Sequence, residues 1–401
     1  MTFASGPASS AQSNEHSVSP APGPARPLWH STDLPRPLAA STSTRVLAVV
    51  GLIVLSLVVL IVLAYLGVAL GGVVVVVCGI LALIPLGFVL GAVFWIDRWE
   101  PEPAAARWFA LLWGAGAAVV IALLVDLGTQ VSHYLDGTPP PSEFFQSVLQ
   151  APLVEESAKG LGVLILFLVL KRTFDGPVDG VVYAALVAGG FAFVENIIYF
   201  GGALAEGGGA GLASTFFLRG LLSPFAHVMF TSCTGLALGL AARKPGALRA
   251  ASHLVVGLAA AVLLHALWNS AAYIADDFLG YYVVVQLPLF ALAVVLIVAL
   301  RRSETRLTRL RLQEYATAGW LSAHDVTLLA TPAGRRGALA WARTKQTGAV
   351  SVMKRYIRDA TRLAYARQQI VSGRYREQAM RDERLLLAAV TADRAALIAL
   401  R

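Results

Sequence analysis

Charge is scarce in this chain. Only 14% of its 401 residues are Asp, Glu, Lys or Arg, while 57% are hydrophobic. Several apolar runs reach the roughly 20 residues that a helix needs to cross a bilayer. That balance excludes a soluble globular domain of this length and makes the chain an integral membrane protein. Cysteine is rarer still. Cys78 and Cys233 lie in different apolar runs, which excludes a disulfide framework and a CxxC metal site and leaves them as small packing residues. The sequence also has no HExxH, no pair of intramembrane aspartates and no Gly-x-Ser-x-Gly. Those absences remove three familiar hydrolytic arrangements.

What is present is a series of eight apolar segments of helix-spanning length: 46 to 66, 72 to 96, 107 to 127, 144 to 170, 180 to 202, 217 to 241, 251 to 275 and 281 to 300. The loops 67 to 71, 128 to 143, 203 to 216 and 276 to 280 contain no Lys or Arg. The basic residues fall between the other segments and beyond the eighth, so the positive-inside rule puts both termini in the cytoplasm. Arg219, near the outer end of the sixth segment, is the exception and is expected to snorkel to the interface. The expected fold is all-α: a polytopic membrane bundle of about eight transmembrane helices with a cytoplasmic helical C-terminal tail.

Three regions follow. Residues 1 to 44, rich in Ser, Pro and Ala, read as a disordered arm rather than a cleaved signal, because the first apolar run is long enough to anchor. Residues 45 to 302 form the membrane core. Residues 303 to 401 form a basic tail; counted from Arg301, the C-terminal part carries 20 Lys and Arg against 8 acidic residues. VMKRYIRDATRLAYARQQI and ERLLLAAVTADRAALIAL both have helical spacing. The tail reads either as a small helical domain or as a surface attracted to anionic lipid. No motif supports nucleic-acid binding.

A charged side chain inside a membrane is costly and therefore marks function. The fourth segment carries Glu155, Glu156 and Lys159; the fifth, Glu195 and Asn196; the sixth, His227; the seventh, His265 and Asn269. Glu155 to Lys171, Asp179 to Glu195, His227 to Arg243 and Arg249 to His265 each span 16 residues. At 1.5 Å per residue that is about 24 Å of helix. The four side chains thus share one level, toward the outer leaflet. Lys159 lies one turn from both glutamates and can pair with either. Two His and a Glu at common depth match the ligands of an open catalytic zinc site, with a further Glu as base for water. Asp126 has no clear place in that group.

The order EESAK (155 to 159), FAFVEN followed by Tyr199, SPFAH ending at His227 and HALWN (265 to 269) resembles the PrsW family of multi-spanning membrane metalloproteases. It is more distantly similar to the CAAX prenyl proteases and bacteriocin-processing enzymes of the same superfamily. The likeness covers about residues 80 to 300. It implies Glu155 or Glu156 as catalytic base, Glu155 first, with Lys159 beside them. It also implies that Glu195, His227 and His265 bind or orient a divalent metal, zinc by expectation, and that Asn269 stabilises the oxyanion. The prenyl proteases usually carry Arg and His where this chain has Lys159 and Glu195, which favours the PrsW branch. That branch implies a membrane-anchored protein substrate, of the anti-sigma-factor kind, cut on the extracytoplasmic side of a bacterial membrane. An ion or proton-coupled transporter and a non-catalytic scaffold are the competing classes.

Overall fold

The computed structural model describes residues 42–244 and 246–400. The expected disordered arm lies outside the described residues up to position 41. Among the described residues every regular element is helical. The membrane part comprises α1 (Thr42–Leu70), α2 (Gly72–Ile96), α3 (Ala104–Leu112), α4 (Val119–Leu135), α5 (Ala151–Val169), α6 (Pro177–Thr215), α7 (Ala226–Ala242), α8 (Ala247–Ile274), the single turn α9 (Phe278–Tyr281) and α10 (Leu287–Thr317). Six stretches among the described residues are long and apolar enough to cross a membrane, and one of them, Pro177–Ala242, contains both α6 and α7. Helix α5 is not among the six, because Glu155, Glu156 and Lys159 interrupt its apolar character. This is a multi-pass membrane protein.

Helix α6 is the hub, since almost every residue from Pro177 to Phe191 is buried. Its Ala, Gly and Val side chains let neighbours approach closely, which is how helices associate where lipid removes the hydrophobic drive between them. A methyl group on Gly180 would lie 1.9 Å from the Gly235 carbonyl oxygen, and one on Gly235 would lie 2.1 Å from that of Gly180. Only glycine permits this crossing of α6 and α7. Around the hub, α1, α2, α8 and α10 expose large apolar side chains such as Leu47, Val73, Leu263 and Val295. So broad an apolar surface suits hydrocarbon, not water.

Four π-helical stretches interrupt the bundle: Trp113–Ala118, Phe145–Gln150, Phe216–Leu222 and Tyr282–Gln286. Such wide turns are rare and gather at functional sites. The loop expected over 203 to 216 is helical instead, with a reversal at Gly208 (φ 59°, ψ −150°), a backbone state that glycine adopts without strain.

Helix α10 continues past residue 302 without a break and leads into a helical C-terminal domain. Its further elements are α11 (Ala323–Leu329), α12 (Pro332–Arg343), α13 (Ala349–Val371) and α14 (Arg376–Ile398). The last two coincide with the stretches whose spacing predicted helices. Their core includes Leu312, Leu329, Met353, Leu363 and Val390. Ser322 caps α11: its Oγ accepts from the Asp325 amide at 3.1 Å, while Asp325 Oδ2 accepts from the Ser322 amide at 2.8 Å.

Candidate active site

Within the membrane part a cavity of about 390 Å³ is lined from five helices, including Glu155 of α5, Glu195 of α6, His227 of α7 and His265 with Asn269 of α8. Glu155 faces this space. Glu156, the next residue along the helix, is fully buried and lies behind the wall.

Lys159 ties the two carboxylates together. Its Nζ donates to Glu155 Oε2 at 3.0 Å and to Glu156 Oε1 at 2.9 Å, and it lies 3.1 Å from His227 Nδ1. The ammonium also rests over the Phe191 ring, 4.0 Å from its centre, a cation–π contact that strengthens away from water. Glu156 is satisfied on every side: Thr231 Oγ1 donates to its Oε2 at 2.7 Å, and His265 Nδ1 lies 3.1 Å from its Oε1. A buried carboxylate with this many partners is tolerable where a bare one is not.

His227 stands at the second position of α7, just after Ser223, Pro224 and Phe225 break the helix. Pro224 restricts the residue before it and ends the preceding helical stretch, and Ser223 Oγ donates to the Leu218 carbonyl at 2.7 Å. His227 Nε2 lies 2.7 Å from Glu195 Oε2. The two imidazoles meet edge to face with ring centres 5.1 Å apart, and Phe230 stacks on His265 at 4.7 Å.

Each histidine therefore has one ring nitrogen on a carboxylate, Glu195 for His227 and Glu156 for His265. Metal-binding histidines are commonly oriented in this way, through the nitrogen the metal does not use. Glu155, His227 and His265 each offer a donor atom, and the three atoms lie within 4.8 Å of one another. Two imidazoles and a carboxylate suit a zinc-like divalent ion. The charges fit as well. Glu155, Glu156 and Glu195 outnumber Lys159 and Arg219, so with neutral histidines the cluster carries one negative charge. The donor set and its electrostatics accommodate a divalent cation.

Six of the seven residues to which the resemblance gives a role meet in this cluster. The seventh, Asn269, lines the same cavity, and its Nδ2 donates to the Ser147 carbonyl at 2.8 Å, holding the π-helical entry to α5. Glu195 approaches His227 from the side away from Lys159. Asp126 is exposed at the cavity edge and accepts from Gln130 Nε2 at 2.9 Å.

Arg219 differs from expectation. It turns inward instead of snorkelling, donates to Glu195 Oε2 at 2.5 Å and to Asn196 Oδ1 at 3.1 Å, and lies 3.9 Å over the Tyr199 ring. The π-helical stretch Phe216–Leu222 carries it there. Its signal in the sequence was its isolation, as the one basic residue on the wrong side of the charge pattern. Thr231, one turn beyond His227, and Phe191 were also missed, and neither is distinctive without the packing.

Residues 102–293, a stretch that includes every residue of the cluster, match the PrsW family of intramembrane metalloproteases. Protease PrsW of Clostridioides difficile strain 630 is 30% identical over 194 residues, covering 47% of this chain and 76% of that protein. Protease PrsW of Geobacillus kaustophilus strain HTA426 is 31% identical over 145 residues, 36% of this chain and 58% of the relative. The Bacillus subtilis strain 168 protein of the same name is 36% identical over 98 residues, 24% and 41% of the two chains. No solved structure matches the chain.

Proposed function

The chain belongs to the PrsW family of intramembrane metalloproteases, and from that premise we propose that it cleaves membrane-anchored proteins, of the anti-sigma-factor kind, near the outer face of a bacterial cytoplasmic membrane. The observation that carries this reading is the cavity itself, which exposes Glu155, both histidines and Asn269 to one space inside an apolar bundle. Support for the outer face comes from the charge pattern, with both termini inside, and from the 16 residues that separate Glu155 from Lys171.

His227 and His265 would hold the ion, with Glu195 and Glu156 orienting their rings, and Glu155 stands beside them on the cavity side, within reach of water at the same point. When bound, a divalent ion, zinc by its nitrogen and oxygen donors, acts as a Lewis acid toward the scissile carbonyl and water. Glu155 is the general base. Its carboxylate takes a proton from water as the water oxygen bonds to the carbonyl carbon, then delivers that proton to the departing nitrogen as the C–N bond breaks. The products are a carboxylate and an amine.

Lys159 fixes the Glu155 carboxylate through its 3.0 Å hydrogen bond. Asn269 gives one amide hydrogen to Ser147, which leaves the second for the carbonyl oxygen as it gains charge. Glu156 acts as a positioning residue, not as the base, since it has no face on the cavity.

The test is cleavage of a membrane-anchored reporter together with metal content of the purified protein. Glu155→Gln should lose activity by roughly a hundred- to ten-thousand-fold, the range for a general base, and His227→Ala should be inactive. The double substitution His227→Ala with His265→Ala should lose bound metal. Full activity in the Glu155 variant, or wild-type metal content in the double variant, would overturn the reading.

A further inference from the structure

The connection between α5 and α6 is gripped by the C-terminal domain. Arg374, only 8% exposed, donates through Nη2 to the carbonyl oxygens of Lys171 and Phe174, the latter at 3.0 Å. Gln369 Nε2 donates to the Arg172 carbonyl at 3.2 Å and to Asp175 Oδ2 at 3.0 Å. Between these groups lies a second cavity, of about 200 Å³, walled by Asp175, Arg243, Glu304, Tyr365, Gln368 and Arg374 among others. A single ordered water needs only about 10–15 Å³. The space is large enough for a small organic molecule.

Its wall carries two carboxylates, Asp175 and Glu304, and two guanidiniums, Arg243 and Arg374. None of the four takes part in an ion pair among the described residues. Two buried atoms in this wall also have no hydrogen-bond partner: Glu304 Oε2, which can only accept when ionised, and Arg374 Nη1, which can only donate. Buried polar atoms are rarely left so in a native protein. Their opposite characters narrow the ligand. A lone anion would leave Glu304 Oε2 without a partner, and a lone cation would leave Arg374 Nη1 without one. A small molecule bearing one charge of each sign satisfies both ends.

We propose that this cavity binds a small zwitterion of the α-amino-acid type, its ammonium on Glu304 and Asp175 and its carboxylate on Arg374 and Arg243. The inference stands apart from the proteolytic chemistry, because no residue of the catalytic cluster lines the cavity.

Calorimetric titration of the full chain in detergent tests it, with L-glutamine as probe and acetate and methylammonium as single-charge comparisons. L-glutamine should bind at least tenfold more tightly than either, a difference of about 1.4 kcal/mol. Glu304→Gln and Arg243→Gln should each weaken it tenfold or more; Arg243 is exposed at the rim, so its variant keeps the fold and unfolds at the wild-type temperature. The proposal is overturned by any of three results: no heat from L-glutamine, L-alanine or L-lysine; acetate or methylammonium binding as tightly as L-glutamine; or unchanged binding in the Arg243 variant.

Discussion

Glu155 and Glu156 are adjacent in the chain and opposite in circumstance. One opens on the cavity, while the other is enclosed by Lys159, Thr231 and His265. Substituting them should therefore fail in different ways. Glu155→Gln should leave thermal unfolding near wild type while removing activity. Glu156→Gln breaks a buried ion pair and leaves the Lys159 ammonium under-compensated, a change that typically costs about 3–5 kcal/mol. It should lower the unfolding temperature in detergent by several degrees, and an unaltered temperature would show that Glu156 bears no structural role. The sequence made the costly residues visible, because three charges in a spanning segment have few innocent explanations. It could not say which glutamate faces the cavity. The two differ by 100° around the helix, and only the packing of α7 and α8 decides which side is wall and which is space.

At the scale of elements, the two helices that carry Glu195 and His227 are joined by a glycine contact. Gly235→Ala puts a methyl carbon 2.1 Å from the Gly180 carbonyl oxygen, so α6 and α7 must separate. Overpacking of this kind costs about 1–3 kcal/mol, and the same shift would part His227 from Glu195. Gly202→Ala, where a methyl group meets nothing within 4 Å, should be neutral or mildly stabilising, since glycine inside a helix costs about 0.5–1 kcal/mol relative to alanine. Equal unfolding temperatures for the two variants would argue against close packing as the role of Gly235. Apolar run length made the helices themselves legible, and each of the eight expected segments falls largely on helix, the sixth being broken at Ser223, Pro224 and Phe225. The π-helical turns and the reversal at Gly208 were not legible, because they are local adjustments to neighbours that no periodicity announces. The inward turn of Arg219 depends on one of them.

For the molecule as a whole, the junction between the membrane core and the C-terminal domain should respond to pH. Burial first, and then the neighbouring Asp179 carboxylate, push the Asp175 carboxyl from its ordinary 3.8 up to about 8. The folded protein thus keeps a proton that the unfolded chain gives up near pH 4, so stability falls as pH rises between about pH 4 and pH 8. Glu100, raised by burial and by Asp175 among its neighbours, acts in the same direction. Thermal unfolding should occur at a lower temperature at about pH 8 than at about pH 5, and Asp175→Asn should reduce that slope; an identical slope in the variant would assign the titration elsewhere. Composition foretold a basic C-terminal region but not this docking, which rests on Arg374 and Gln369 reaching main-chain carbonyls that any sequence would offer. The 31-residue helix α10 adds a mechanical consequence. It is a rod of about 46 Å at 1.5 Å per residue. Near one end Phe290 stacks on Phe225, two residues before His227, and toward the other Leu312 and Tyr315 are built into the C-terminal core. No hinge lies between them, so a tilt or pull applied to the C-terminal domain arrives at the start of α7 as a displacement rather than being absorbed along the way.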